Sequence, residues 1–303
     1  MHKARFLTGA GIIAAGILAL TACNSGSPGA APGADGTAGG SDSSAQLWEV
    51  ASDVSLDGSP TFERMVSADK VVVGVKEDQP GLGFKDPISN ERGGFDVEIA
   101  QWIAASLGFD ADKIEYKTIP SANREQELVN GNIDYYVGTY SITDKRKQSI
   151  DFAGPYLITG QGLLVAASDD SISGPNDLAG KIVCSVTGST PLQRIRDEYS
   201  PGDTVEYDTY TQCLEQLRAG SVDAVTTDQA ILAGYVAQEP ETFKIAGDTF
   251  SEERYGVGLP KGDTVLKDHI NTLFNDGGDV WTALFDKNLA PAGIEGQQPT
   301  ADE

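Results

Sequence analysis

One pattern occurs twice in this chain and limits what it can fold into. Leu128-Val-Asn-Gly131-Asn-Ile133-Asp134-Tyr-Tyr-Val-Gly-Thr139 has the same layout as Leu217-Arg-Ala-Gly220-Ser-Val222-Asp223-Ala-Val-Thr-Thr-Asp228. Each reads as a helix end, a glycine stop and a strand. A second echo sets Lys70-Val-Val-Val-Gly-Val-Lys76 against Lys181-Ile-Val-Cys-Ser-Val-Thr187. Two α/β lobes of one design follow. Open α/β sheets bind ligands at the carboxyl ends of their strands. The ends marked by the echoes are Lys76, Thr139, Thr187 and Asp228, so lobes that face each other would bring these four to one cleft. A duplication without a shared site is the alternative.

From Lys70 onward, short β-branched runs alternate with amphipathic helices, as in a mostly parallel sheet flanked by helices. Val71–Val75 and Ile114–Tyr116 read as strands. Phe95, Ile99, Trp102, Ile103 and Ser106 recur at helical spacing before Gly108. Extended crossings are expected from Ala153 to Val165 and from Ala246 to Tyr255. Lobe 1 is therefore placed at 47–157 and 249–290, and lobe 2 at 158–248. Residues 291–303 are expected to be a disordered tail.

The N-terminal region is set apart. His2, Lys3 and Arg5 precede an almost wholly apolar run to Leu20, the layout of a signal peptide over 1–22. Leu20-Thr21-Ala22-Cys23 resembles a lipoprotein cleavage site, which would put a lipid on Cys23. Residues 23–46 then hold small and polar types that cannot bury a core, and read as a tether.

Charge and cysteines narrow the function. The chain carries 45 acidic against 22 basic residues, a net −23, which argues against a nucleic-acid partner. With Cys23 assigned to the lipid, Cys184 and Cys213 remain in an exported chain. A disulfide between them is favoured over two buried thiols. The only histidines are His2 and His269, and no Cys-x-x-Cys occurs, so neither a metal nor another cofactor is expected.

In so acidic a chain, Thr139-Tyr-Ser-Ile-Thr-Asp-Lys145-Arg146-Lys147 is anomalous. Thr143 reads as a helix N-cap, which sets three bases in a first helical turn where the helix dipole disfavours cations. Together with Ile150–Tyr156, Gly94-Phe95-Asp96-Val97 and Asp223–Asp228, this stretch resembles the family-3 solute-binding proteins of bacterial ABC importers, over roughly Phe62 to Leu289. Val75-Lys76-Glu77-Asp-Gln-Pro-Gly-Leu-Gly and Ser121-Ala-Asn123-Arg124 resemble the actinobacterial glutamate-binding branch. The resemblance implies a two-lobed periplasmic-binding-protein fold of type II, in which hinge closure buries an amino acid.

Its residue roles follow by position. Arg146 would grip the α-carboxylate bidentately, with the Ser141 hydroxyl beside it. Gly188, Ser189 and Thr190 would offer backbone N–H groups and a hydroxyl at a helix start. Asp228 and the Thr139 carbonyl would take the α-ammonium. Lys76 and Arg124 would hold a side-chain carboxylate, with Lys85 and Arg92 weaker candidates. Tyr140 and Phe84 would sandwich the ligand, and Lys145 and Lys147 would be solvated. The expected protein is a monomeric, lipid-anchored, extracytoplasmic subunit that delivers glutamate, aspartate or glutamine to a permease. An amino-acid-sensing lipoprotein and a dehydratase-like enzyme using Glu77, Asp78 or Asp228 are the alternatives.

Overall fold

The computed structural model describes residues 47–303, so the expected signal peptide, the lipidation at Cys23 and the tether lie outside the described residues. The chain begins with α1 (Pro60–Ala68), β1 (Val71–Val75), a hairpin of β2 (Phe84–Lys85) and β3 (Arg92–Gly93), and α2 (Phe95–Ser106). It continues through β4 (Ile114–Thr118), α3 (Arg124–Val129), β5 (Tyr135–Tyr136), α4 (Asp144–Lys147) and β6 (Ile150–Thr159). A second series runs β7 (Gln161–Ala166), β8 (Ile182–Val186), α5 (Thr190–Glu198), β9 (Asp203–Tyr207), α6 (Tyr210–Arg218), β10 (Ala224–Asp228), α7 (Gln229–Gln238) and β11 (Phe243–Ile245). The chain then returns through β12 (Glu253–Pro260), α8 (Thr264–Asp276) and α9 (Gly278–Asn288).

The strands make two five-stranded sheets, ordered β4-β1-β5-β12-β6 and β11-β7-β10-β8-β9. In each, three neighbouring strands are parallel, the fourth (β12 or β7) runs antiparallel to them, and the edge strand (β6 or β11) pairs antiparallel with that fourth strand. The echoes of the sequence fall on equivalent places. β1 and β8 are the middle strands of the parallel triplets, and β5 and β10 flank them. Two α/β lobes of one design are what the structure contains. The chain crosses between them at Gly160 and again over residues 246–252.

Local chemistry sets the elements near the cleft. Thr143 caps α4, its hydroxyl accepting from the Arg146 N–H, as its sequence position predicts. Ser189 does the same for α5, and Thr209 and Gln212 form a capping box at α6. Gly94 adopts φ +105° ahead of α2, and a Cβ there would lie 2.1 Å from the Leu82 carbonyl oxygen. Only glycine fits such a turn. A disulfide joins Cys184 of β8 to Cys213 of α6.

Residues 291–303 correct the expectation of a disordered tail. Ala301 is buried, and its peptide group pairs with the Asn275 side chain. The Asp302 and Glu303 N–H groups donate to the Gly154 carbonyl. The Glu303 carboxylate accepts from Lys147 at 2.9 Å and Arg254 at 3.0 Å. A run rich in glycine and proline has no periodicity to read, and its anchors come from distant elements. Lys147 is thus paired rather than solvated, while Lys145 is exposed.

Candidate ligand-binding site

The two lobes meet around a small cavity, lined from one side by Ser121, Arg124, Thr139 and Arg146 and from the other by Ser189, Thr190, Pro191, Tyr210, Asp228 and Ile231. An open groove lined by Ala122, Glu125, Lys145, Ser149 and Gln193 adjoins it through the shared residues Ser121, Arg146, Ser189 and Thr190.

Arg146 is buried at the start of the short helix that its neighbour Thr143 caps. It donates to the Ser141 carbonyl at 2.6 Å and to the Gly188 carbonyl of the other lobe at 3.1 Å, with Glu125 3.3 Å away. Arg124 donates to the carbonyls of Ser121 (3.0 Å), Gly188 (3.3 Å) and Thr139 (3.4 Å). Both guanidiniums lie over the Tyr140 ring, at 4.1 Å for Arg124 and 4.8 Å for Arg146. The ring's negative face is what lets two buried cations sit so near each other. Burial, and then the charge of Arg124, lower the Arg146 pKa to about 10.

Asp228 ends β10 and faces these arginines from the other lobe. One carboxylate oxygen accepts from the Tyr255 hydroxyl at 2.6 Å. The other, Oδ1, is buried and has no hydrogen-bond partner among the described residues. Burial foremost, and then the nearby Glu253, raise the Asp228 pKa to about 7. Lys76 follows the last residue of β1, buried, and donates to the Ser121 hydroxyl at 2.8 Å, one hydroxyl behind the cavity wall. Burial, with the Arg124 charge second, lowers its pKa to about 7.

Two supports hold the wall. Thr139 takes φ +46°, a strained conformation for a β-branched residue. Its N–H donates to the buried Asp96 carboxylate at 3.0 Å and its hydroxyl to Gln79 at 3.1 Å. Burial raises the Asp96 pKa to about 6, against the hydrogen bonds of Tyr156 and Thr139. Across the lobes, Thr190 lies 3.2 Å from the Ser141 hydroxyl and donates to Glu253, which is in turn paired with Arg194 at 2.5 Å.

The predicted residues divide. Arg146, Arg124, Thr139, Ser189, Thr190 and Asp228 line the cavity; Ser141 and Lys76 stand directly behind it. Gly188 contributes its carbonyl, to the two arginines, rather than an N–H, and the Ser189 N–H bonds the Val186 carbonyl. Tyr140 packs edge-to-face against Tyr136 and Phe152 beneath the arginines, so it supports cations instead of stacking on a ligand. Phe84 is half-buried in the β2–β3 hairpin and Thr187 sits on its own strand end; neither lines the cavity. Lys85 and Arg92 belong to that hairpin, and Arg92 bonds the Lys76 carbonyl, Glu77 and Thr118. Sequence reading gave no role to Ser121, Tyr210, Pro191 or Ile231. Pro191 follows the recognised Gly188-Ser-Thr run, which was a signal; a tyrosine opening a helix was none.

A cavity with cations on one lobe and a carboxylate on the other, closed at a two-strand crossing, defines a protein that folds shut around a small charged solute. Residues 71–277 match the bacterial extracellular solute-binding proteins, family 3, and the chain belongs to that family. It is 43% identical over 221 residues to the glutamate-binding protein GluB of Corynebacterium efficiens, covering 68% of this chain and 75% of that one. To the ABC transporter glutamine-binding protein GlnH of Bacillus subtilis it is 39% identical over 211 residues, 70% of this chain and 77% of the relative. Among solved structures, an ancestral arginine-binding protein bound to arginine superposes with a TM-score of 0.67 at 32% identity, over 72% of this chain and 97% of that chain. Among the described residues no helix is long and apolar enough to cross a membrane, and no group of three or more His, Cys, Asp or Glu is placed to hold a metal ion.

Proposed function

We propose that this chain is the capture subunit of an ABC amino-acid importer, and that its ligand is L-glutamate. The observation that carries the reading is the charge arrangement of the cavity. Arg124, Arg146 and Lys76 on one lobe, with Glu125 3.3 Å from Arg146, oppose Asp228 on the other, whose Oδ1 has no hydrogen-bond partner among the described residues. The lobe 1 groups carry a net two positive charges, which a ligand with two carboxylates and one ammonium matches. Glutamine would leave a cation unmatched, and arginine would add another. In this reading Arg146 and the Ser141 hydroxyl take the α-carboxylate, and Asp228 Oδ1 takes the α-ammonium. Arg124 and Lys76, the latter through or beside Ser121, take the side-chain carboxylate. The protein acts as a monomer at the outer membrane face, held by a lipid on Cys23, and the closed form delivers glutamate to the permease. The net charge of −23 slows encounter with an anion, but screening over about 8–10 Å at ordinary salt keeps that effect small beside buried bases.

The test is a calorimetric titration of the protein lacking residues 1–44 with glutamate, aspartate, glutamine and arginine. One-to-one binding is expected in that order of strength, with arginine silent. Glutamine binding as tightly as glutamate would remove the roles given to Lys76 and Arg124. Silence from all four would remove the amino-acid reading.

A further inference from the structure

Away from the cavity wall, the loop that follows β1 reaches across to the other lobe. Asp78 stands on this loop, half-buried, two residues beyond Lys76. Its carboxylate oxygen Oδ2 accepts from the Tyr210 N–H at 2.9 Å, and Tyr210 is the first residue of α6. Its backbone carbonyl accepts from the Tyr235 hydroxyl at 2.5 Å. The same loop presses on α7, where a Cβ on Gly234 would lie 2.2 Å from the Pro80 carbonyl oxygen. These contacts join lobe 1 to lobe 2.

We propose that Asp78 is a positioning residue: it latches the closed form by its carboxylate on the first turn of α6, and thereby seats Tyr210 in the wall of the ligand cavity. A carboxylate at a helix start takes both a charge-assisted hydrogen bond and the favourable end of the helix dipole. Tyr210 lines the cavity, so the latch and the binding wall share one residue. Asp78 is not itself among the residues lining the cavity. Its effect is on the closed fraction, and apparent affinity scales with that fraction for every ligand alike. The inference rests on the capture reading above.

Asp78→Ala and Tyr235→Phe test it, with glutamate and glutamine affinities by calorimetry, glutamate release by stopped flow, and hydrogen exchange at the Tyr210 amide. Asp78→Ala is expected to raise the glutamate off-rate and Kd together by about tenfold to a hundredfold, as for a lost hydrogen bond to a charged group. Tyr235→Phe should raise them about twofold to tenfold. The glutamate-to-glutamine ratio should stay within about twofold of the wild type in Tyr235→Phe, which keeps the Asp78 charge near Lys76. The Tyr210 amide should lose protection in Asp78→Ala with and without amino acid. Off-rates within twofold of the wild type in both variants would overturn the latch, and so would a collapsed ligand ratio in Tyr235→Phe, which would make the loop a specificity element. Should the wild type bind no amino acid, the capture reading fails, and Tyr210 exchange alone decides: protection unchanged in Asp78→Ala overturns the latch.

Discussion

Asp228→Asn separates two consequences of burying one carboxylate. A carboxyl raised from its ordinary 3.8 to about 7 costs the folded protein roughly 4 kcal/mol once ionised, at about 1.4 kcal/mol per tenfold change in proton affinity. The folded-state pKa lies above the unfolded one, so the folded chain holds this proton longer. Stability is therefore full below pH 4, falls as pH rises toward 7, and stays low above it. Asparagine keeps the shape and still accepts from the Tyr255 hydroxyl, but cannot ionise. The ligand-free variant should match the wild type near pH 4 and exceed it increasingly up to pH 8, in urea unfolding followed by circular dichroism. Binding should move the other way. Removing one member of a buried charge pair costs about 3 kcal/mol or more, so glutamate Kd at pH 7.5 should weaken at least about a hundredfold. A variant that binds glutamate within tenfold of the wild type would refute the role of Asp228 in holding the ammonium. A stability gain independent of pH would refute its electrostatic origin.

Arg146→Lys keeps a charge but loses the fork that spans the Ser141 and Gly188 carbonyls, and should weaken glutamate by about ten- to a hundredfold in calorimetry. Lys76→Met should narrow the glutamate-to-glutamine preference. It should also abolish a rise in ligand-free stability between pH 7 and 10.5, the window in which the unfolded lysine is still charged and the folded one, lowered to about 7, is not. Replacing Cys184 and Cys213 by alanine removes a cross-link between residues 29 apart and should lower unfolding free energy by about 3–4 kcal/mol in the chain-entropy model. Glutamate affinity should be little changed, since neither cysteine lines the cavity. Glu303→Gln breaks the ion pairs to Lys147 and Arg254 that tie the tail to α4. It should raise hydrogen exchange in α4 while moving the melting temperature by only a degree or two, as for a partly exposed pair.

The architecture was legible because it is local and repeated. Strand runs, glycine stops and a threonine cap each act within a few residues, and the echo alone pairs β1 with β8 and β5 with β10. The cations and Asp228 were legible for a related reason: strand ends and helix starts are where an α/β lobe must put its site. What failed was orientation and distance along the chain. Tyr140 sits inside the recognised motif, yet its ring turns to the inside of lobe 1, where it meets Arg124 and Arg146 from behind. Tyr210 opens a helix far from any motif, and only closure brings it to the cavity. The tail is fastened by Asn271, Asn275 and Arg254, whose partners no periodicity announces.

Closure and recognition draw on the same charges. In the closed form Asp228 keeps one buried oxygen without a hydrogen-bond partner among the described residues, while Arg124 and Arg146 both lie over the Tyr140 ring and donate to the same Gly188 carbonyl. These groups stand on opposite lobes, so opening the hinge rehydrates all of them at once. An amino acid with a second carboxylate turns each of those costs into a contact, and it does so only when both lobes are in place. Its affinity is therefore higher for the closed form than for the open one, which is the condition under which a ligand shifts a conformational equilibrium. The interlobe bonds of Asp78 and Thr190 are indifferent to which amino acid is bound. On the proposed reading they set how far the balance stands from closure, and the cations and Asp228 decide which solute tips it.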